Sequence, residues 1–528
     1  MADPVSEQTR LRSFIKRRHP EYDAMESHWA FLQDTYNGGR EWFVNNIFKY
    51  HKEGDDEYSA RRSRAYRFNH TREVVDLVDK HIFKMLIVRR EGDAPESVKK
   101  FWENSTLNGL EIEDYAKRIS CASSTNGRVW VVVDSNRTGK IRTKADEKKA
   151  GVRVYSYMVL PQDALDMSYD DRGDLNWILI RETTRDDADP IDSSGKVKYR
   201  YRLWTRTFSQ LFETKGEDSK DPTKVKVIPR APIMHNLGVV PVFAADNVIS
   251  DEPYTSPAMI ADVAYLDRAV ANYLSNMDAI IQDQTFSQLA MPAQGLMPGT
   301  DTDTATIDKL IQMGTKRVFT YNGEGNAAPF YLSPDVKQAE LILAVVGKII
   351  NEIYHSVGLS GERTKDDSGK GIDNASGVAK AYDFERVNAL LASKAGSLER
   401  IENRLCWLVA KWHGEEKMIE ELENELVEYP DNFDVRSLYD EFEIAARLAL
   451  IDAPDEVRQE QMNTLIEKLF PQVKEEVMEA LKESVKSWPP DPVEMARKMA
   501  EAGAAGAAKG DPIKKEGKNA IANKVVNS

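Results

Sequence analysis

The chain reads as an α+β protein, predominantly helical, on three observations. Helix-period apolar stripes occupy residues about 20–120 and most of 256–414. A period of two takes over between Asn126 and Val242. The length, 528 residues, is several domains' worth and ample to bury a core. Hydrophobic content of 41% and charged content of 30% suit a folded, soluble protein.

The first helix is marked by Tyr22, Met25, Trp29 and Leu32 at helical spacing and is stopped by Gly38-Gly39. A basic run follows, with Arg61, Arg62, Arg64 and Arg67 interleaved with Tyr58, Tyr66 and Phe68. A solvated or inter-subunit helix face is the preferred reading of that run, ahead of a phosphate-binding stripe. Val74, Val75, Val78 and Ile82 continue the helical pattern. In the β-rich part, Arg128 to Val133 is a strand closed by Asp134. Asp170-Asp171-Arg172-Gly173-Asp174 is a turn between two strand-like runs, the second over Asn176 to Arg181, and Tyr199, Tyr201, Leu203, Thr205, Thr207 and Ser209 then alternate with other residues. His235 to Val242 ends this region, which is expected to be a meander of antiparallel strands.

Ser256-Pro257 is placed to open a long helix, since serine caps free N–H groups and proline at the first helical position loses no needed donor. Met259, Val263, Leu266, Val270, Tyr273, Met277 and Ile280 draw one apolar stripe, and no glycine or proline appears before Pro292. At 1.5 Å per residue that helix spans roughly 50 Å. Pro292 to Leu332 is a short insert: a small helix (Ile307, Leu310, Ile311), a strand over Val318 to Tyr321, a turn at Asn322-Gly323-Glu324-Gly325 and a second strand over Pro329 to Leu332. A helix plus hairpin of that size buries little alone and needs a neighbour. Ser333-Pro334 opens a second helix with Ile342, Val346, Ile349, Ile350, Ile353 and Val357 as its apolar positions, and Gly358 suits a left-handed cap. Gly358 to Ala375, with four glycines among Lys365, Asp366, Asp367, Ser368 and Lys370, is a functional or disordered loop. A third helix runs from about Ser376 to His413, with Phe384, Val387, Leu391, Leu398, Ile401, Leu405 and Val409 on its apolar face. Gly377 and Gly396 inside it suggest a bend or close packing. Beyond Tyr429-Pro430, acidic amphipathic helices lead out to about Ala502, and a lysine-bearing tail from Lys509 is expected to be disordered.

A formal net charge of -14 argues against a protein that wraps nucleic acid with a basic face, but leaves room for DNA sliding past a surface that does not grip it. Two cysteines, Cys121 and Cys406, imply no disulfide framework and fit a reducing compartment. Cys406, beside Leu405, Trp407 and Leu408, reads as a buried small hydrophobe. The N-terminus through Arg18 is charged and polar, and the longest strongly apolar run, Val129 to Val133, is strand-sized. Neither secretion by the usual route nor a membrane span is expected.

Catalytic constellations are missing. There is no GxxxxGK[ST], strand-bound GxGxxG, HExxH, CxxC or GxSxG, and Gly369-Lys370-Gly371 lacks phosphate-loop spacing. Asp301 and Asp303 have the look of a two-carboxylate metal clamp, but the glycine and threonines around them suggest an exposed turn. Asp366-Asp367 reads as a solvated loop before a cation site, and the eight histidines are scattered in structural or surface positions. No enzyme activity, metal or cofactor is expected.

The order of these elements resembles the portal proteins of tailed bacteriophages, the ring at the capsid vertex through which DNA enters and leaves. Ala261-Asp262-Val263-Ala264-Tyr265-Leu266-Asp267-Arg268 is similar to the first stem helix of that family, and Ala375-Ser376-Gly377-Val378-Ala379-Lys380 to the start of its long helix. Glu57-Tyr58 through Asn69, and Leu237-Gly238-Val239-Val240-Pro241-Val242, look like wing segments. The resemblance covers roughly Tyr22 to His413 and lies in the order, because no single short motif is diagnostic. It implies a ring-forming architecture: wing over 1–254, stem helix over 255–291, clip over 292–332, second stem helix over 333–357, tunnel loop over 358–375, long wing helix and return over 376–436, and helical crown with flexible tail over 437–528.

As function, the resemblance implies a conduit for DNA packaging and ejection and a docking platform. The implied partners are other copies of the chain in a ring of about twelve, double-stranded DNA, terminase, major capsid protein and adaptor or head-completion proteins, with no membrane. The implied place is the virion, assembled in the bacterial host cytoplasm. Lys365, Asp366, Asp367, Ser368 and Lys370 would face the channel; Asp301, Asp303, Asn322 and Glu324 would lie on the partner-binding clip. A ring-forming phage scaffold or connector without a channel role is the alternative. A nucleotide-driven translocase is disfavoured by the missing phosphate loop.

Overall fold

Val129–Val133 is buried on both faces, which makes one strand the wall between two apolar cores. The computed structural model describes residues 4–51, 53–136, 152–215, 225–250, 252–285, 288–292, 318–321, 328, 330–332, 336–359, 377–431, 433, 445, 454–470 and 475–486. They form a mixed helix-and-sheet structure of the α+β class, divided into two compact units, Met1–Asp434 and Val435–Ser528.

The first unit opens with α1 (Pro4–Ile15), α2 (Tyr22–Asn37), α3 (Arg40–Asn46), α4 (Asp55–Arg64) and α5 (His70–Ile82). As expected, Tyr22, Trp29 and Leu32 are buried on α2 and Gly38 ends it with a left-handed φ of 69°. Asn69 caps α5 by accepting the Arg72 N–H, and Val74, Val75, Val78 and Ile82 form its buried stripe. The short strand β1 (Val88–Arg89), α6 (Glu96–Glu103) and α7 (Ile112–Asn126) lead into β2 (Arg128–Ser135). Val129, Val131 and Val133 face the larger core while Trp130 and Val132 face the smaller, so the continuous apolar run follows from burial of alternate side chains on two faces.

β3 (Val154–Val159), β4 (Ala164–Tyr169), β5 (Leu175–Arg185), β6 (Val197–Thr205), β7 (Phe208–Lys215), β8 (Lys226–Pro229), β9 (Ile233–Met234) and β10 (Val242–Asp246) complete the β-rich part. The expected meander exists as the antiparallel order β4-β5-β6-β7-β8, with β9 also on β7. The β-rich part does not end at Val242, however. There β10 begins and pairs with β2, so that Arg128 lies opposite Asp246 and donates to both its carboxylate oxygens at 2.6 and 2.9 Å. The edge at β8 is covered by α1: Gln8 gives and accepts one hydrogen bond with the Val227 backbone, at 3.0 and 3.2 Å.

The next elements are α8 (Ala261–Thr285), β11 (Gln288–Pro292), β12 (Val318–Tyr321), β13 (Phe330–Leu332) and α9 (Val336–Ser356). Two expectations are corrected here. The first long helix starts at Ala261 rather than Ser256 and is 25 residues long, about 38 Å. Residues 256–258 cannot coil because the segment is tied to the end of α7 and to the residues after β10: Met259 N–H donates to Ser124 O, Asn247 to Pro257 O, and Ser256 Oγ to Val248 O. In the insert, β12 and β13 do not pair with each other. β11 lies between them, parallel to β12 and antiparallel to β13, so the last residues assigned to the helix become the central strand. The small helix at Ile307–Ile311 falls outside the described residues.

α10 (Gly377–His413), α11 (Glu416–Glu420) and β14 (Val427–Glu428), which pairs with β1, close the first unit. α10 sends Val387, Leu391, Leu398, Ile401, Leu405 and Val409 into the larger core, and Gly414 ends it at φ 71°. Cys406 is fully buried there, and burial pushes its thiol up. Gly396 has open space where a side chain would stand, so close packing is not what retains it. In the second unit, α12 (Asp455–Leu469) and α13 (Glu475–Val485) bury Leu465 and Val485. The acidic helices expected beyond 486, and the tail, lie outside the described residues.

Candidate functional site

The two stem-like helices pair through their apolar stripes. α8 contributes Val263, Ala264, Val270 and Leu274, and α9 contributes Val346, Ile350, Ile353 and Tyr354. Tyr273, placed in the stripe by spacing, is instead 38% exposed, and Leu274 takes its place. Adjacent residues of α5 fix the relative height of the helices. Thr71 donates to Asp267 Oδ2 from both its backbone N–H (3.2 Å) and its hydroxyl (2.8 Å), while His70 Nδ1 lies 3.2 Å from the Tyr354 hydroxyl. Tyr354 in turn donates to Glu73. The start of α8 and the end of α9 therefore share one level, which makes an antiparallel hairpin.

The basic run has a different role from either reading of the sequence. Arg61 is buried; it donates to Glu53 at 2.7 and 2.8 Å, to Phe48 O at 2.7 Å and to Ser275 Oγ at 3.0 Å. Its guanidinium also stacks on Tyr50 and Tyr58. Arg64 pairs with Asp278, and Arg67 with Asp267 while lying 4.1 Å from the Trp42 ring. Three of the four arginines are thus brackets that hold α4 and the chain after it against α8. The fourth, Arg62, is half-buried and lies over the Tyr58 ring without bracing α8. Ser275 and Asp278 lie one turn apart on α8, flanking its stripe, but nothing in the local sequence says that residues 214 positions away meet there.

A second buried polar cluster joins α10 to α7. Lys394, fully buried, donates to Ser123 Oγ (2.8 Å), Asn247 Oδ1 (3.0 Å) and Ser120 O (3.3 Å). Burial pulls its ammonium down to about 8, and burial raises the nearby Asp79, which accepts from Ser120, to about 6. Between pH 8 and the ordinary lysine range the unfolded chain then binds the proton that the folded chain releases, so stability rises with pH across that window. Lys394→Met is expected to remove that slope, on the order of 3 kcal/mol end to end. The check is denaturant midpoints of both proteins from pH 7.5 to 10.5, where parallel curves would contradict the assignment. The sequence signal for this cluster is faint: one lysine inside an otherwise apolar stripe.

The expected channel residues Lys365, Asp366, Asp367, Ser368 and Lys370 and the expected clip residues Asp301, Asp303, Asn322 and Glu324 all lie outside the described residues. The surface around the hairpin is described. α9 exposes Leu341 at 65% and Leu343 at 55%, α8 exposes Tyr265 and Ile281, and β13 exposes Phe330 and Tyr331. Among the described residues no group of three or more His, Cys, Asp or Glu is placed to hold a metal ion, and no helix is long and apolar enough to cross a membrane.

No protein-family model and no curated protein matches the chain. Solved structures that contain similar chains include two of gene transfer agent particles. One is described as the virion of a native gene transfer agent particle, with a TM-score of 0.37 and 10% identity over 79% of this chain and 96% of that one. The other is described as the neck of an empty particle of the same kind, with a TM-score of 0.38 and 9% identity over 80% and 98%. Similarity that loose does not assign a function.

Proposed function

We propose that the chain is a portal-type ring protein of a tailed phage or phage-like particle, with a structural and not an enzymatic role. The observation that carries this reading is α9. It buries Val346, Ile350 and Ile353 against the rest of the chain yet still exposes Leu341 and Leu343. A helix apolar on more than its core-facing stripe needs cover from a second source. Repetition of the hairpin about an axis supplies it, each copy covering the next through a heterologous contact. The order of elements described for the sequence supports the same reading: helical and β-rich wing, hairpin with a small sheet inserted at its tip, then the long helix.

In that ring the segment 358–375 lines the channel, and the net charge of -14 limits phosphate contacts so that duplex DNA passes with few sticking points. The insert over 292–332 is the docking tip for terminase and later for adaptor proteins, the wing meets the capsid, and residues 437–528 form the crown. ATP hydrolysis belongs to a separate chain. The test is light scattering with end-on negative-stain electron microscopy. A ring with an open centre at least duplex-wide, about 20 Å, is the expected result. A stable monomer, or a ring closed at its centre, counts against the conduit. Leu341→Glu with Leu343→Glu is expected to leave a folded monomer, raising the concentration for half-assembly by at least roughly a hundredfold, read by scattering beside an unchanged far-ultraviolet circular dichroism spectrum.

A further inference from the structure

We propose that Arg268 is the receiving group for Glu352 of a second copy of the chain, and that this pair sets the register between neighbouring hairpins. The proposal rests on the ring reading and names its contact. The guanidinium of Arg268 lies 4.6 Å from the Phe31 ring, 5.0 Å from Tyr265 and 5.3 Å from Phe48. Three rings hold it in place and strip part of its water, which strengthens its pull on an anion. Among the described residues no carboxylate pairs with it, whereas Arg61, Arg64, Arg67, Arg89 and Arg128 each have one. The neighbouring Asp267 is already taken by Thr71 and Arg67. The cage is open to solvent, because Phe48 is 52% and Tyr265 44% exposed.

The complementary group lies on the other helix. Leu341, Val345, Lys348 and Glu352 follow one another at steps of four, three and four along α9, on the side away from Val346, Ile350 and Ile353. Glu352 is exposed and pairs with no described cation. The contacts of His70 and Thr71 put Tyr354 and Asp267 at one level, so Glu352 and Arg268, each within two residues of those anchors, share that height on different helices. Rotation about an axis along the hairpin keeps height constant. It therefore brings the Arg268 side of one copy to the Glu352 side of the next, with Phe48 and Tyr265 covering Val345 and the methylenes of Lys348.

The experiment uses the full chain as Arg268→Glu, Glu352→Arg, the double variant, and an equal mixture of the two single variants. Assembly is followed by light scattering across a salt series, with circular dichroism as the folding control. Each single variant is expected to need roughly tenfold more protein to assemble, since like charges then face each other. The double variant and the mixture are both expected to recover, because every contact in the double, and in an alternating ring of the mixture, again joins opposite charges. Glu352→Arg changes an exposed side chain and carries the test even where Arg268→Glu fails to fold. Single variants that assemble like the wild type, or that neither the double nor the mixture rescues, overturn the pair while leaving the ring intact. Loss of DNA binding by Arg268→Glu with unchanged assembly overturns it in favour of a phosphate. A wild-type chain that never assembles removes the ring reading itself and the pair with it.

Discussion

Arg61→Met is expected to destabilise the first unit by about 3–5 kcal/mol, the usual range when one partner of a buried ion pair is removed and the other is left uncompensated. Arg61 is 3% exposed and Glu53 only slightly more, so the Glu53 carboxylate would lose two charge-assisted bonds with little water to replace them. Phe48 O and Ser275 Oγ would lose a donor in the same step, which frees both α4 and the residues after α3 from α8. The wild-type pair holds Glu53 below the usual carboxylate range, so its contribution is present at neutral pH and disappears as pH falls through the folded Glu53 titration. The acid limb of the stability curve should therefore be flatter in Arg61→Met. Two comparisons make the result specific. Glu53→Gln added to Arg61→Met is expected to restore part of the loss, and Arg62→Met, which removes only a ring contact, should stay within about 1 kcal/mol of wild type. Denaturant midpoints at one fixed protein concentration provide the measurement, because self-association would otherwise add to apparent stability. Equal effects of Arg61→Met and Arg62→Met would show that the bracket is not what holds α4.

Gly127→Ala is expected to be as damaging, about 3–5 kcal/mol, for a backbone reason. Gly127 ends α7 at φ 83°, a conformation that alanine adopts only with strain. A Cβ at this position would also lie 1.9 Å from Ser256 O and 3.0 Å from Ala258 N, so two backbone segments must part to admit it. The same close approach keeps residues 256–258 out of the helix, and so sets the starting point of α8. The bonds from Asn247 N–H to Gly127 O and from Met259 N–H to Ser124 O would be strained together. Gly173→Ala is the control: its φ is 82°, but nothing lies within 4 Å of the added carbon, so only the conformational cost of about 1 kcal/mol remains. If the two variants lose the same stability, the contact with Ser256 is not the cause. Limited proteolysis should also find new cleavage near residues 250–260 in Gly127→Ala alone.

Periodicity was sufficient wherever one residue's environment is decided by its own helix or strand. The stripes of α2, α5, α9 and α10, the turn at Asp170–Asp174, the β-meander and the caps at Gly38, Gly358 and Gly414 all follow from local propensity and one-sided burial. Two failures share one cause. Pro257 suits a first helical position and no glycine or proline follows before Pro292, so local rules extend α8 through residues 256–260 and 286–291. The end of α7 claims the first stretch, and pairing with β12 and β13 claims part of the second. Hydrogen-bond partners far along the chain outweighed helix propensity, which differs by less than about 1 kcal/mol among ordinary residues.

The candidate site divides in the same way. The sequence alone determined that the chain carries two long amphipathic helices flanking a small insert, a long third helix, a β-rich segment and an acidic balance without catalytic motifs, because each is a property of residue order and composition. Tertiary structure alone decided what the charged residues do. Arg61, Arg64 and Arg67 become internal brackets, Lys394 becomes a buried ammonium bound by neutral acceptors, and Arg268 is left with three rings and no described counterion. A charged side chain is defined by what lies close to it, and each of these residues has at least one such neighbour more than a hundred positions away in the chain.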